Sequence, residues 1–172
     1  HSFAQYIKSQ SSYLYVLEQS EGSRCTKLSR YDSTTLDEKT IELLPYGGSR
    51  TSVWALNCYA SVDGMAVSAD SVLCIGTTID QSQYDNVTSD TPHNIYLTIT
   101  PVSDFSKEAT SVKYLTNYTG NGKSFMGVKI TPITENRFMI SWEEYENTDD
   151  SSSENYAAAD DSLSSSTLHY LF

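Results

Sequence analysis

The sequence predicts an all-β protein built from repeats of a small antiparallel sheet. Three observations carry that expectation. The composition favours strands: there are thirteen Tyr against five Phe, with many Thr, Ser and Val and few Ala or Leu. Short apolar runs alternate with turn signals along the chain. One pattern, an apolar run closed by polar residues, occurs three times, as Tyr13–Glu18 (YLYVLE), Val72–Thr77 (VLCIGT) and Asn136–Glu144 (NRFMISWEE).

The first unit reads as four strands. His1–Lys8 alternates enough to form one, and Ser9–Ser12 turns the chain into Tyr13–Glu18. Glu21-Gly22-Ser23 turns it again into Arg24–Tyr31 (RCTKLSRY), a half-exposed strand. Asp32–Glu38 connects to a polar fourth strand, Lys39–Leu44, which Pro45 and Gly47-Gly48 end. Consecutive short strands joined by tight turns make a meander.

The second unit follows a longer link that holds Trp54. Cys58–Val62 and Met65–Ser68 flank Asp63-Gly64, which suits either a hairpin turn or a bulge within one strand. Val72–Thr78, Asn94–Thr100 (NIYLTIT) and Ser111–Asn117 (SVKYLTN) complete the unit, with a polar loop over Gln81–His93. Thr119-Gly120-Asn121-Gly122 is a strong turn. The third unit has Phe125–Thr131, Asn136–Glu144 and Leu168–Phe172 as strands. An acidic, Ser-rich stretch over 146–167 is expected to be flexible.

Tyr13, Val72 and Phe138 lie 59 (13 to 72) and 66 (72 to 138) residues apart. Without the two long loops the spacing approaches roughly the 40–50 residues of a propeller blade. The central strands are apolar on both faces, as they must be when each sheet has a neighbour on either side. The expected fold is a β-propeller segment of about three four-stranded antiparallel blades, over 1–48, 53–122 and 123–172, the last one incomplete. Propellers typically have about four to eight blades. The remaining blades are expected from the same precursor or from another chain. A complete small β-domain of about eleven strands is the competing reading.

Four stretches resemble repeats of secreted or surface-attached β-propeller proteins of anaerobic Gram-positive bacteria. They are HSFAQ followed by SYLYVLE, then GMAVSADSVLCIG, then ITENRFMISWEEY, and after a loop LHYLF. The resemblance implies a propeller outside the cytoplasm, at the cell surface or beyond it. It carries no catalytic residue across.

Composition excludes several functions. A formal charge of −11 offers no basic surface for nucleic acid or for anionic lipid. No apolar run approaches the ~20 residues of a membrane helix. The chain begins at His1, not Met, and is expected to be a processed product or a fragment. Cys25, Cys58 and Cys74 have no CxxC spacing, so they form no zinc motif; one disulfide with a free thiol, or three reduced thiols, both fit. Asn86-Val87-Thr88 and Asn117-Tyr118-Thr119 match the glycosylation sequon.

Chemical signatures are sparse. No GxSxG, phosphate-loop or HExxH motif occurs, and His1, His93 and His169 have no metal spacing. Asp149, Asp150, Glu154, Asp160 and Asp161 match no EF-hand register. Ser61–Met65 departs from the sialidase Asp-box because its Gly comes early and no aromatic follows. Glu143 and Glu144 point to opposite faces of a strand and do not form an acid/base pair. No cofactor or metal is implied.

Loops carry function on β-scaffolds. In a meander the loops between second and third strands share one rim with the links between units. Tyr46, Trp54, Tyr84, Asp85, His93 and Tyr118 fall there and are the candidate ligand-binding residues. Their rings suit sugar faces or protein surfaces, and Asp85 and His93 suit hydroxyl groups. Packing between units is the plainer role for Trp54 and Tyr118. The expected function is non-catalytic extracellular glycan or protein binding, or scaffolding. A fragment of a glycosidase-type propeller is the alternative.

Overall fold

The computed structural model describes residues 2–20, 26–43, 59–78, 94–119, 123–146 and 166–172. These residues are all-β, in three antiparallel sheets of four, four and three strands, with no closed sheet. Sheet 1 holds β1 (Ser2–Gln10), β2 (Tyr13–Ser20), β3 (Thr26–Asp32) and β4 (Glu38–Glu42). Sheet 2 holds β5 (Tyr59–Val67), β6 (Ser71–Thr78), β7 (Asn94–Pro101) and β8 (Ser111–Tyr114). Sheet 3 holds β9 (Lys123–Thr134), β10 (Arg137–Glu146) and β11 (Ser166–Leu171). In every sheet the strands pair in chain order, so each is a meander whose next strand is always the nearest one available.

Local chemistry sets the turns. Gln10 pairs with Tyr13, leaving Ser11-Ser12 as a two-residue hairpin loop with Ser11 at φ 53°; such loops need positive φ to match the strand twist. Between β3 and β4, Asp32 Oδ1 accepts from the N–H groups of Thr34 (2.8 Å) and Thr35 (3.0 Å). This side chain holds backbone donors that no strand can satisfy.

The first strand of each sheet is irregular. In β1 the register shifts between Ala4 and Tyr6. In β5 it shifts between Ala60 and Met65, so Asp63-Gly64 lies in a bulge within one strand and is not a hairpin turn. In β9 three steps, from Met126 to Lys129, oppose two on β10, and Gly127 sits there at φ 63°. Glycine meets that backbone demand at no steric cost. β5 lies against both β1 and β9, so the three irregular strands run beside one another.

Sheet 2 sits between the other two. Met65, Val72 and Cys74 face sheet 1 and join Tyr15, Leu17, Leu28, Ile41 and Leu43 in one core. Ala66, Ile75, Ile95 and Leu97 face sheet 3 and join Val128, Ile130, Ile140 and Trp142 in a second. Along β6, Val72 and Cys74 therefore enter one core and Ile75 the other, the period of two expected of a strand covered on both sides. Each fully buried aliphatic side chain contributes about 1.5–3 kcal/mol.

The expectation of two apolar faces holds for β6 and largely for β2, where Val16 is buried opposite Tyr15 and Leu17. It does not hold for β10. There Ile140 and Trp142 are buried, whereas Met139, Ser141 and Glu143 on the other face are only half-buried. No described sheet covers that face, and its residues are correspondingly mixed.

Candidate functional site

The most chemically varied cluster lies at one rim of the seam between sheets 2 and 3. Asn94, the first residue of β7, organises it. Its Oδ1 accepts from the Thr116 hydroxyl (2.9 Å) and the Tyr118 N–H (2.7 Å), and its Nδ2 donates to the Tyr118 carbonyl (3.3 Å). The Ile95 N–H donates to Thr116 Oγ1 at 2.9 Å. A buried side-chain amide thus satisfies the backbone of the segment that leaves β8.

That clasp aims Tyr118 across the seam. Its ring stacks on Phe125 of β9, with centroids 5.8 Å apart and planes at 19°. Its hydroxyl donates to Glu144 Oε2 on β10 at 2.6 Å, a short charge-assisted bond. His169 Nε2 on β11 lies 3.7 Å from the same oxygen. The His169 ring stacks on Trp142, 5.2 Å between centroids and 7° between planes. Trp142 and His169 are cross-strand partners, and Glu144 follows Trp142 by two residues, so all three face sheet 2.

Electrostatics decide what this cluster can do. Burial, and then the Glu144 carboxylate, push the Tyr118 hydroxyl well above the ordinary tyrosine range. A nucleophilic or basic tyrosine needs the opposite shift. Tyr118 stays protonated and donates, so the pair acts as a tether between sheets.

A second cluster stitches sheets 1 and 2 at the opposite rim. The Arg30 guanidinium lies 4.4 Å from the Tyr13 ring centroid and 4.7 Å from that of Phe105. Its Nη1 donates to the Val102 carbonyl at 3.0 Å. Phe105, from the connection between β7 and β8, is buried against Tyr15 with centroids 6.0 Å apart.

Of the candidate ligand-binding residues, Tyr118 is placed in the seam with Phe125 and Glu144. Tyr46, Trp54, Tyr84, Asp85 and His93 lie outside the described residues, as do Cys25 and the acidic stretch over 147–165. Asn117, of the second sequon, is exposed beside Tyr118. Asn94, Thr116, Trp142, Glu144 and His169 were not singled out as site residues by pattern. Strand alternation puts Trp142 and Glu144 on one face, but nothing in the sequence brings that face to Tyr118.

The comparisons with known proteins are silent. No family model, no curated protein and no solved structure matches the chain. Among the described residues no group of three or more His, Cys, Asp or Glu is placed to hold a metal ion, and no helix is long and apolar enough to cross a membrane.

Proposed function

We propose that the chain is a β-propeller segment that works outside the cytoplasm as a non-catalytic module, binding a glycan or a protein surface at its linker rim. The observation that carries this reading is the middle sheet. It is covered on both faces by sheets of the same strand order, and its first strand runs between theirs. A slice wedged between like slices is the packing unit of a propeller. The remaining blades come from the same precursor or from another chain. The charge of −11 fits neutral or basic ligands in place of nucleic acid.

The tether reading of Tyr118 and Glu144 supports the non-catalytic part, because this tyrosine is held in its unreactive form. It also moves the binding role toward Tyr46, Trp54, Tyr84, Asp85 and His93. The test is a glycan array and a protein pull-down with the 172-residue chain, repeated for Trp54→Ala and His93→Ala. Binding that those variants lose, with an unchanged far-UV spectrum, is the expected result. Turnover of a glycoside by the same protein overturns the reading in favour of a glycosidase-type fragment. Silence in both binding assays overturns the rim as a binding face.

A further inference from the structure

Both seams join the same two kinds of face. Alternate residues of a strand face opposite ways, and paired residues on neighbouring strands share a face. Sheet 1 meets sheet 2 through Tyr15, Leu17 and Leu28, and sheet 2 receives it on Val72 and Cys74. Sheet 2 meets sheet 3 through Ile75 and Leu97, and sheet 3 receives it on Ile140 and Trp142. Counted from the hairpin turn, Tyr15 and Leu17 of β2 correspond to Leu73 and Ile75 of β6 and to Met139 and Ser141 of β10. The forward face of one sheet therefore meets the back face of the next, twice over. Among the described sheets two faces stay bare: the back of sheet 1, with Leu14 and Glu18, and the front of sheet 3, with Met139 and Ser141.

These two faces are complementary. On the back of sheet 1, Glu18, Glu38 and Glu42 outnumber Lys27. On the front of sheet 3, Lys129 and Arg137 outnumber Glu143. The order along the strands matches as well. At the hairpin end, Glu38 lies on sheet 1 and Arg137 on sheet 3; at the linker end, Lys27 lies on sheet 1 and Glu143 on sheet 3. Laying like ends together sets opposite charges against each other at both. Between them lies apolar surface. Leu168 and Tyr170, on the front of sheet 3, are 70% and 65% exposed. Leu14 and Tyr31 pair side by side on the back of sheet 1. An exposed apolar patch rimmed by charge is the mark of an interaction surface.

We propose that the front of sheet 3 docks on the back of sheet 1 of a second copy of this chain. Two copies of three sheets then supply six, joined to one another by two identical seams. Six lies within the about four to eight blades of closed propellers. A forward-to-back contact makes a ring where its rotation closes and a filament where it does not. This pairing rests on the propeller reading above and makes the other chain a copy of this one. It forms by mass action, so dilute chains are single and keep both faces bare.

The test is sedimentation of the 172-residue protein over about 1–200 µM, where a monomer passing to a dimer and no further is expected. Glu38→Arg and Arg137→Glu are each expected to weaken the dimer at least about tenfold. Both side chains are exposed, so each variant keeps the parent far-UV spectrum. Combined in one chain, the two substitutions restore the dimer, which a merely structural role for either residue would not do. Tyr170→Asp, in the exposed patch, abolishes it. A protein that stays monomeric throughout, or a dimer indifferent to these substitutions, overturns the pairing and leaves the propeller segment and its rim standing. Filaments that grow with concentration and are lost in Glu38→Arg show stacking without closure, and they overturn the propeller reading as well.

Discussion

The Tyr118 hydroxyl donates to a carboxylate that faces His169 across 3.7 Å. Tyr118→Phe keeps the stack on Phe125 and removes only that donor. A charge-assisted bond of this kind contributes about 1.5–3 kcal/mol, so urea unfolding at neutral pH is expected to show a loss in that range. The variant also changes the alkaline limb. The folded state raises the Tyr118 pKa, through burial first and Glu144 second, and Tyr15 is raised chiefly by burial. A raised pKa contributes stability that is complete below the unfolded value of about 10 and is lost as pH rises above it. Stability is expected to fall above about pH 10, less steeply in Tyr118→Phe than in the parent. Cys74 is also set by burial, its thiol pushed up to about 12. The thiolate is the reactive form. Peptide mapping after maleimide treatment is therefore expected to find Cys74 unmodified in the native protein and labelled after unfolding. The sequence offered Tyr118 as an aromatic in a link, but not the partners that define its role. Asn94, Glu144 and His169 reach it from three strands, through pairings that no local spacing encodes.

At the scale of elements, the strands were legible because their cues are local. Gly, Pro and paired polar residues end each run, and alternation sets its faces. Asp63-Gly64 left two readings open because that dipeptide suits a tight turn and a bulge alike, and only the pairing of β5 with β6 separates them. The strand that misled was β10. Phe138, Met139 and Ile140 look fully buried in sequence, but burial depends on whether a sheet lies beyond, and on one side none of the described sheets does. This difference is measurable. Ile75, at 0% exposure in the core between sheets 2 and 3, is expected to cost about 2–5 kcal/mol as Ile75→Ala. Ile133 on β9, at 48% exposure, is expected to stay within about 0.5 kcal/mol as Ile133→Ala. Denaturant midpoints with unchanged slopes check both. Equal losses at the two sites would mean that the outer face of sheet 3 is covered in solution.

At the scale of the whole molecule, the question is whether three sheets unfold as one. Stacked units can behave as a series, each held by its own stability and by its contacts with neighbours, and then they melt in stages. The distribution of apolar side chains here argues against staging. Sheet 2 has no wet face to fall back on: removing sheet 1 would expose Met65, Val72 and Phe105, and removing sheet 3 would expose Ile75, Ile95 and Leu97. Three such side chains at about 1.5–3 kcal/mol apiece come to about 4.5–9 kcal/mol, comparable with the about 5–15 kcal/mol that a single domain of this size holds in reserve. Loss of either interface should therefore take the middle sheet with it, and the third sheet after that. Leu17→Ala in one core and Ile130→Ala in the other are expected to lower one common midpoint, with far-UV circular dichroism and tryptophan emission changing together. Two separated transitions, each sensitive to only one of the substitutions, would show that the seams act independently and that sheet 2 is stable with one face bare.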